Sequence, residues 1–148
     1  MKPSIEHLSP SESFQSGYGY THQIILKHDR DHLGSSELLF FSDPFPFYYL
    51  FYLHISPQFQ GQGFGSLLLE ATNQLLTNKK KPALLRNIID HKHPARHMYQ
   101  NSGWIQFDND WLIAPQKNHL WSDSCFSRAR YRIELVEKER CFYQSYDD

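Results

Sequence analysis

The chain is short of several things that would define its class. Among 148 residues it has two cysteines, Cys125 and Cys141, at no metal-ligand spacing. At most one bridge is possible, so the sequence reads as a free-thiol protein of a reducing compartment, expected to be cytoplasmic. Lysine plus arginine total 15 against 16 acidic residues, a net charge of -1. That balance offers no electrostatic footprint for nucleic acid or an anionic membrane surface. The one basic run, Lys79-Lys80-Lys81 before Pro82, suits the solvated end of a helix. The first residues lack the apolar segment of a signal peptide, and the longest apolar run, 45–53, is too short to span a bilayer. Glycine is scarce too, with seven in all, yet three alternate over five positions at Gly61, Gly63 and Gly65.

What is present is apolar and aromatic. Hydrophobic residues make up 40% of the chain and aromatics 16%, enough for the core of one domain spanning 1–148 and too short for two of ordinary size. Residues 1–15 are polar and proline-punctuated, read as a loose arm or edge segment. THQIILKHD reads as a strand, RDHLGSS as a charged turn, and ELLFFSD as a second strand closed by DPFP. FYYLFYLHI, apolar almost throughout, reads as a central strand covered on both faces. Phe64, Leu67, Leu68, Ala71 and Leu75 form a helical stripe that should end near Asn78, ahead of Pro82. ALLRNII reads as a strand reached from FYYLFYLHI by a right-handed crossover. Pro94 opens a further helix closed by Gly103, and WIQF-DND-WLIAP reads as a hairpin. The tail, 116–148, is ambiguous. RYRIELV alternates as a strand would, while a helix over 127–143 fits as well.

The glycine stretch, QGQGFGSLLL, admits three phosphate-binding readings and one bland one. A nucleotide-hydrolysing loop needs Lys and Ser or Thr after its last glycine, and Gly65 is followed by Ser66-Leu67. A dinucleotide fingerprint needs its third glycine one position later, and Asp90 lies too far downstream for the acidic partner. The third reading is a cradle in which the amides of residues 61–65 and a helix N-terminus converge on a diphosphate, with no metal or lysine. Taken alone, a tight strand-to-helix turn explains the glycines equally well.

PQFQGQGFGSLLL resembles the acyl-CoA-binding signature of the GCN5-related N-acetyltransferases, with Gln60, Gly61, Gln62, Gly63, Phe64 and Gly65 matching in order. PARHMYQNSGW is similar to the family's later helix, Met98-Tyr99 and Gly103-Trp104 occupying its Leu-Tyr and Gly-Phe places. The resemblance covers about residues 20–107. It implies an α/β fold, a mixed twisted sheet flanked by helices. The family's opening strand and two helices, which shape the acceptor site, are shortened or rebuilt here. It also implies acetyl-CoA as cosubstrate, bound by Ile55 and by Gln60, Gly61, Gln62, Gly63, Phe64, Gly65 and Ser66. The expected reaction is direct transfer of acetyl to a primary amine in a ternary complex.

Tyr99 is then the expected proton donor to the leaving thiolate, with core packing as the plainer role for a helix tyrosine. The N–H near Ile55 is the expected donor to the thioester carbonyl. His54 is the candidate base for the amine, with Asp90, His91 and His93 as secondary candidates. His93 and His97 stand four apart, but no acidic or cysteine ligand completes a set, so no metal is expected. The surplus of aromatics, Trp104, Trp111 and Trp121 included, hints at an aromatic-lined acceptor pocket, although core packing accounts for most of it. The acceptor is a small-molecule or protein amine and the state a monomer or homodimer, with no nucleic acid and no membrane. A non-catalytic acyl-CoA-binding module and a nucleotide-binding regulator are the alternatives.

Overall fold

The computed structural model describes residues 2–8, 20–87 and 94–140. Seven strands form one mixed sheet in the order β1-β2-β3-β4-β5-β7-β6. They are β1 (Ser4–Leu8), β2 (Tyr20–His28), β3 (Asp31–Phe41), β4 (Phe47–Ile55), β5 (Ala83–Arg86), β6 (Ile105–Asp108) and β7 (Trp111–Ile113). Among the described residues three α-helices flank them, α1 (Phe64–Lys79), α2 (Pro94–Asn101) and α3 (Asp123–Arg140). This is the α/β class expected, and its centre is the expected strand-helix-strand unit. β4 and β5 are parallel, joined through α1, and every other strand pair is antiparallel.

The sheet is covered on both faces, which is why β4 could afford no polar alternation over its first half. On one face Leu38, Tyr48, Leu50, Leu85 and Trp104 pack with Leu69 and Leu76 of α1. On the other, Leu39, Phe41, Phe47, Tyr49, Leu84 and Trp111 pack with Phe126, Ala129, Ile133 and Val136 of α3. Each buried Leu, Ile, Val or Phe among them contributes about 1.5–3 kcal/mol. α3 is the ambiguous tail, and the helix reading is the one the fold takes. RYRIELV alternates only locally, while Phe126, Ala129, Ile133 and Val136 recur at helical spacing against the sheet. Tyr49 donates its phenol proton to Glu137 Oε1 of α3 at 2.6 Å, and Arg86 stands 3.6 Å from the same carboxylate. Trp104, Trp111 and Trp121 are all buried, so the core absorbs most of their surface.

Two stretches differ from their sequence reading. RDHLGSS is not a turn, because the chain reverses at Asp29-Arg30 and β3 runs from Asp31. Its small residues mark close packing. Ser36 is buried and donates to Thr72 Oγ1 of α1 at 2.8 Å, Thr72 passing its own proton to Leu68 O. Gly34 lies where any β-carbon would strike the carbonyl of His54 and come within 2.6 Å of Ile55 Cδ1. The amino-terminal segment places Ser4–Leu8 as the edge strand β1 against β2. Of ALLRNII, 83–86 are strand, and 88–93 lie outside the described residues, with Asp90, His91 and His93 among them.

One irregularity decides where the end of β4 points. Glu37 pairs with Tyr52 and Leu38 with Leu50, leaving Phe51 as an extra residue on β4. Such a bulge reverses the alternation of faces beyond it. Before it, Tyr48 and Leu50 face α1. After it, Leu53 and Ile55 do, packed with Leu33, Phe64 and Leu68. Tyr52 and His54 therefore project from the opposite face, alongside Glu37.

Candidate active site

Among the described residues β4 pairs with β5 at Tyr48, Tyr49 and Leu50, and no described residue of β5 pairs with Leu53 or Ile55. The direction of the edge at Ile55 follows from a single bond. Ser56 donates its N–H to Leu33 O of β3 at 2.8 Å, which makes Gly34 and Ile55 a non-hydrogen-bonded pair. The N–H and C=O of Ile55 thus face away from β3, into a gap among the described residues on the β5 side. Gln60 reaches back into this gap and donates its side-chain amide to Ile55 O at 2.8 Å. Its backbone N–H goes to Pro57 O at 3.3 Å. Gln60 therefore shapes the loop from within, with both donors engaged.

Beyond Gln60 the backbone opens. Gly61 and Gly63 take φ of +81° and +84°, left-handed values that favour glycine, and a β-carbon on either would meet nothing within 4 Å. Gln62 between them has no positive φ, so the backbone alternates in hand, the arrangement that makes an anion-binding concavity. Among the described residues the amides of Gly61, Gln62, Gly63, Phe64, Gly65 and Ser66 take no partner. The first intrahelical bond is Leu67 N–H to Gly63 O. The first turn of α1 carries no acidic side chain, so nothing opposes an anion at the positive end of the helix dipole.

The sequence-named loop residues thus divide. Phe64 is buried and fixes the helix start on Leu68, Ile55 and Leu33. Gly65 serves helix packing, since a β-carbon there would lie 3.0 Å from Met98 Sδ of α2. Gly61, Gln62, Gly63 and Ser66 are the ones exposed with free amides.

The Met98 contact sets α2 against the start of α1 and brings Tyr99 to this end of the sheet. Tyr99 is half-buried, its ring edge-on to Trp104 at 6.1 Å, with Trp104 N–H bonded to its carbonyl at 3.0 Å. Its phenol oxygen has no partner among the described residues, and burial pushes its pKa well above the usual tyrosine value. Two anchors hold this region. Trp104 donates its indole N–H to Asn73 Oδ1 of α1 at 2.9 Å. The guanidinium of Arg96, 4% exposed, donates to Asn87 O at 2.9 Å and to Asn109 O at 3.4 Å. It ties α2 to the end of β5 and to the β6–β7 turn.

His54 is exposed on the face away from α1, its ring 6.1 Å from that of Tyr52. The sequence reading missed Glu37 and Tyr52, which pair directly across β3 and β4, and Gly34, which lets those strands approach. Burial, and then the Glu37 carboxylate, raise the Tyr52 phenol above its ordinary pKa. His97 is exposed on α2, and no group of three potential metal ligands gathers among the described residues. No described helix is long and apolar enough to cross a membrane.

Residues 20–106 match the family model described as an acetyltransferase (GNAT) domain. No curated protein matches the chain. Among solved structures, a GNAT-family acetyltransferase from Desulfovibrio desulfuricans is 19% identical over 64% of this chain and 67% of its own, with a TM-score of 0.54. A GNAT acetyltransferase from Elizabethkingia anophelis, solved with acetyl-CoA, is 15% identical over 72% and 78%, with a TM-score of 0.57. A mutant AtaT toxin, bound to the C-terminus of the antitoxin AtaR and acetyl-CoA, is 17% identical over 79% and 95%, with a TM-score of 0.58. At these identities the likeness is one of fold, and the family model, spanning more than half the sequence, carries the assignment: the chain belongs to the GNAT acetyltransferase family.

Proposed function

We propose that the protein is an N-acetyltransferase that passes the acetyl group of acetyl-CoA directly to a primary amine in a ternary complex. The observation that carries this is the run of six amides, Gly61 to Ser66, that take no partner among the described residues and open beside Ile55 at the end of β4. The diphosphate of CoA sits in that cradle, each well-placed charge at the helix end gaining about 0.3–1 kcal/mol. The pantetheine arm extends the sheet along the edge of Leu53 and Ile55 that faces away from β3. That edge brings the thioester carbonyl to the Ile55 N–H, which stabilises the charge developing on oxygen.

The neutral amine attacks the carbonyl carbon, and a C–N bond forms. The amine proton leaves to His54, directly or through water. The tetrahedral centre collapses, the C–S bond breaks and the electron pair stays on sulfur. Tyr99 donates to that thiolate and regains its proton from solvent, so CoA departs as the thiol. The raised pKa of Tyr99 makes it a donor that stays protonated throughout the working range, and a weak acid. Its contribution is a hydrogen bond to the developing thiolate ahead of full transfer. The acceptor is a small-molecule or protein amine, met in the cytoplasm by a monomer or homodimer without a metal.

A thermal-shift panel of CoA, acetyl-CoA, ATP and NAD tests the cofactor. Stabilisation by both CoA compounds is expected, and no shift with either removes the reading. Release of free thiol from acetyl-CoA with an amine panel separates an enzyme from a non-catalytic acyl-CoA sensor, which binds without turnover. Stabilisation by ATP or NAD alone would favour a nucleotide-binding regulator.

A further inference from the structure

We propose that Glu37, Tyr52 and His54 form a two-point acceptor subsite, selective for amines carrying a second positive charge about 6 Å from the nitrogen that is acetylated. This rests on the acetyltransferase reading above and names the acceptor class it leaves open.

The bulge at Phe51 is the origin of the site. Without it, Tyr52 and His54 would face α1 and be lost to the core. With it, they stand on the opposite face with Glu37 directly across from Tyr52 and Ser35 across from His54. The cluster under α3 takes Leu39, Phe41, Phe47 and Tyr49 from these strands, and not Tyr52. His54 is exposed, and Glu37 and Tyr52 are partly so.

The spacing sets the chemistry. His54 adjoins Ile55, whose N–H faces the reacting carbonyl, so the attacking amine belongs beside His54. Glu37 and Tyr52 lie two strand positions further back, and the Tyr52 and His54 rings are 6.1 Å apart. A carboxylate at that distance is too remote to take the proton of the reacting amine. It suits a second ammonium, which the face of Tyr52 also attracts. Nitrogens joined by four or five methylenes are about 6–7.5 Å apart when extended, at roughly 1.25 Å advance per bond. Putrescine and cadaverine have this span, and butylamine and pentylamine have the same carbon chains without the second charge.

The test is the ratio of kcat/KM for each diamine over its matched monoamine. Wild-type protein is expected to favour the diamines at least about tenfold, the worth of one charge-assisted contact. Glu37→Gln is expected to bring the ratio to about one with the KM for acetyl-CoA unmoved, and Glu37→Asp to restore part of it. Tyr52→Leu, which keeps the carboxylate, should lower the ratio about threefold, and it serves if Glu37→Gln does not fold. A wild-type ratio near one, or a ratio that survives Glu37→Gln, overturns the subsite while the acetyltransferase reading stands. Acetyl-CoA binding with no amine acetylated overturns both.

Discussion

The sulfur of Met98 lies 3.0 Å from the point that a β-carbon on Gly65 would occupy. Here the third glycine of the motif lets two helices meet, α1 and the helix that carries Tyr99. Gly65→Val should destabilise by about 1–3 kcal/mol through overpacking. Because the obstacle is one flexible side chain, Met98→Ala in the same protein should recover most of the loss. A double-mutant cycle by denaturant unfolding measures this, and additive costs would show that the contact is not the cause.

Gly34 is constrained more severely, since its obstacle is the backbone carbonyl of His54. Gly34→Ala should lower stability by about 2 kcal/mol or more, because strands cannot separate as a side chain can. In the folded fraction it should also weaken acetyl-CoA binding, because displacement of β4 moves the Ile55 N–H. Unchanged melting temperature in the variant would contradict the close approach.

His22 lies edge-on to Tyr48 at 5.6 Å, and its pKa is lowered to about 4 by burial and then by the Lys79 ammonium. In the unfolded chain the imidazole charges near 6.5. The folded state therefore binds fewer protons between those values, and stability, fully present above 6.5, falls as pH drops towards 4. With partial exposure discounted, the loss is on the order of 1–2 kcal/mol. His22→Phe should flatten that part of the stability profile, and equal slopes in both proteins would exclude His22 as its source.

Tyr99→Phe keeps the ring against Trp104 and removes only the phenol. The variant should bind acetyl-CoA as wild type does and lose about 10- to 100-fold in kcat, the scale of one donor in the transition state. Since burial raises the phenol pKa, the wild-type rate should show no loss of this donor near pH 10. Full turnover in Tyr99→Phe would leave Tyr99 a packing residue.

Legibility in the sequence followed the range of the interactions. The β4–α1–β5 unit could be read because apolar runs and helical spacing are local, and the sharp glycine turn into α1 because left-handed backbone leaves few other residues possible. The bulge at Phe51 has no local signature, since FYYLFYLHI is apolar on either parity. That concealed the face of His54, and with it the company of Glu37 and Tyr52. Gly34, Ser35 and Ser36 resemble turn residues for a long-range reason, the nearness of β4 and α1. The helix of the tail is fixed by the sheet surface beneath it, which RYRIELV cannot express alone. Gln60 and Gly65 show the limit of motif matching, because the residue types agree while one holds the loop and the other spaces two helices.

Arg96 binds the carbonyls of Asn87 and Asn109 from within α2, so the two chain ends flanking residues 88–93 are held by a guanidinium, whatever lies between them. One buried side chain thus couples β5, the β6–β7 turn and α2, and the helix bearing Tyr99 takes its place from that guanidinium as well as from the covalent chain.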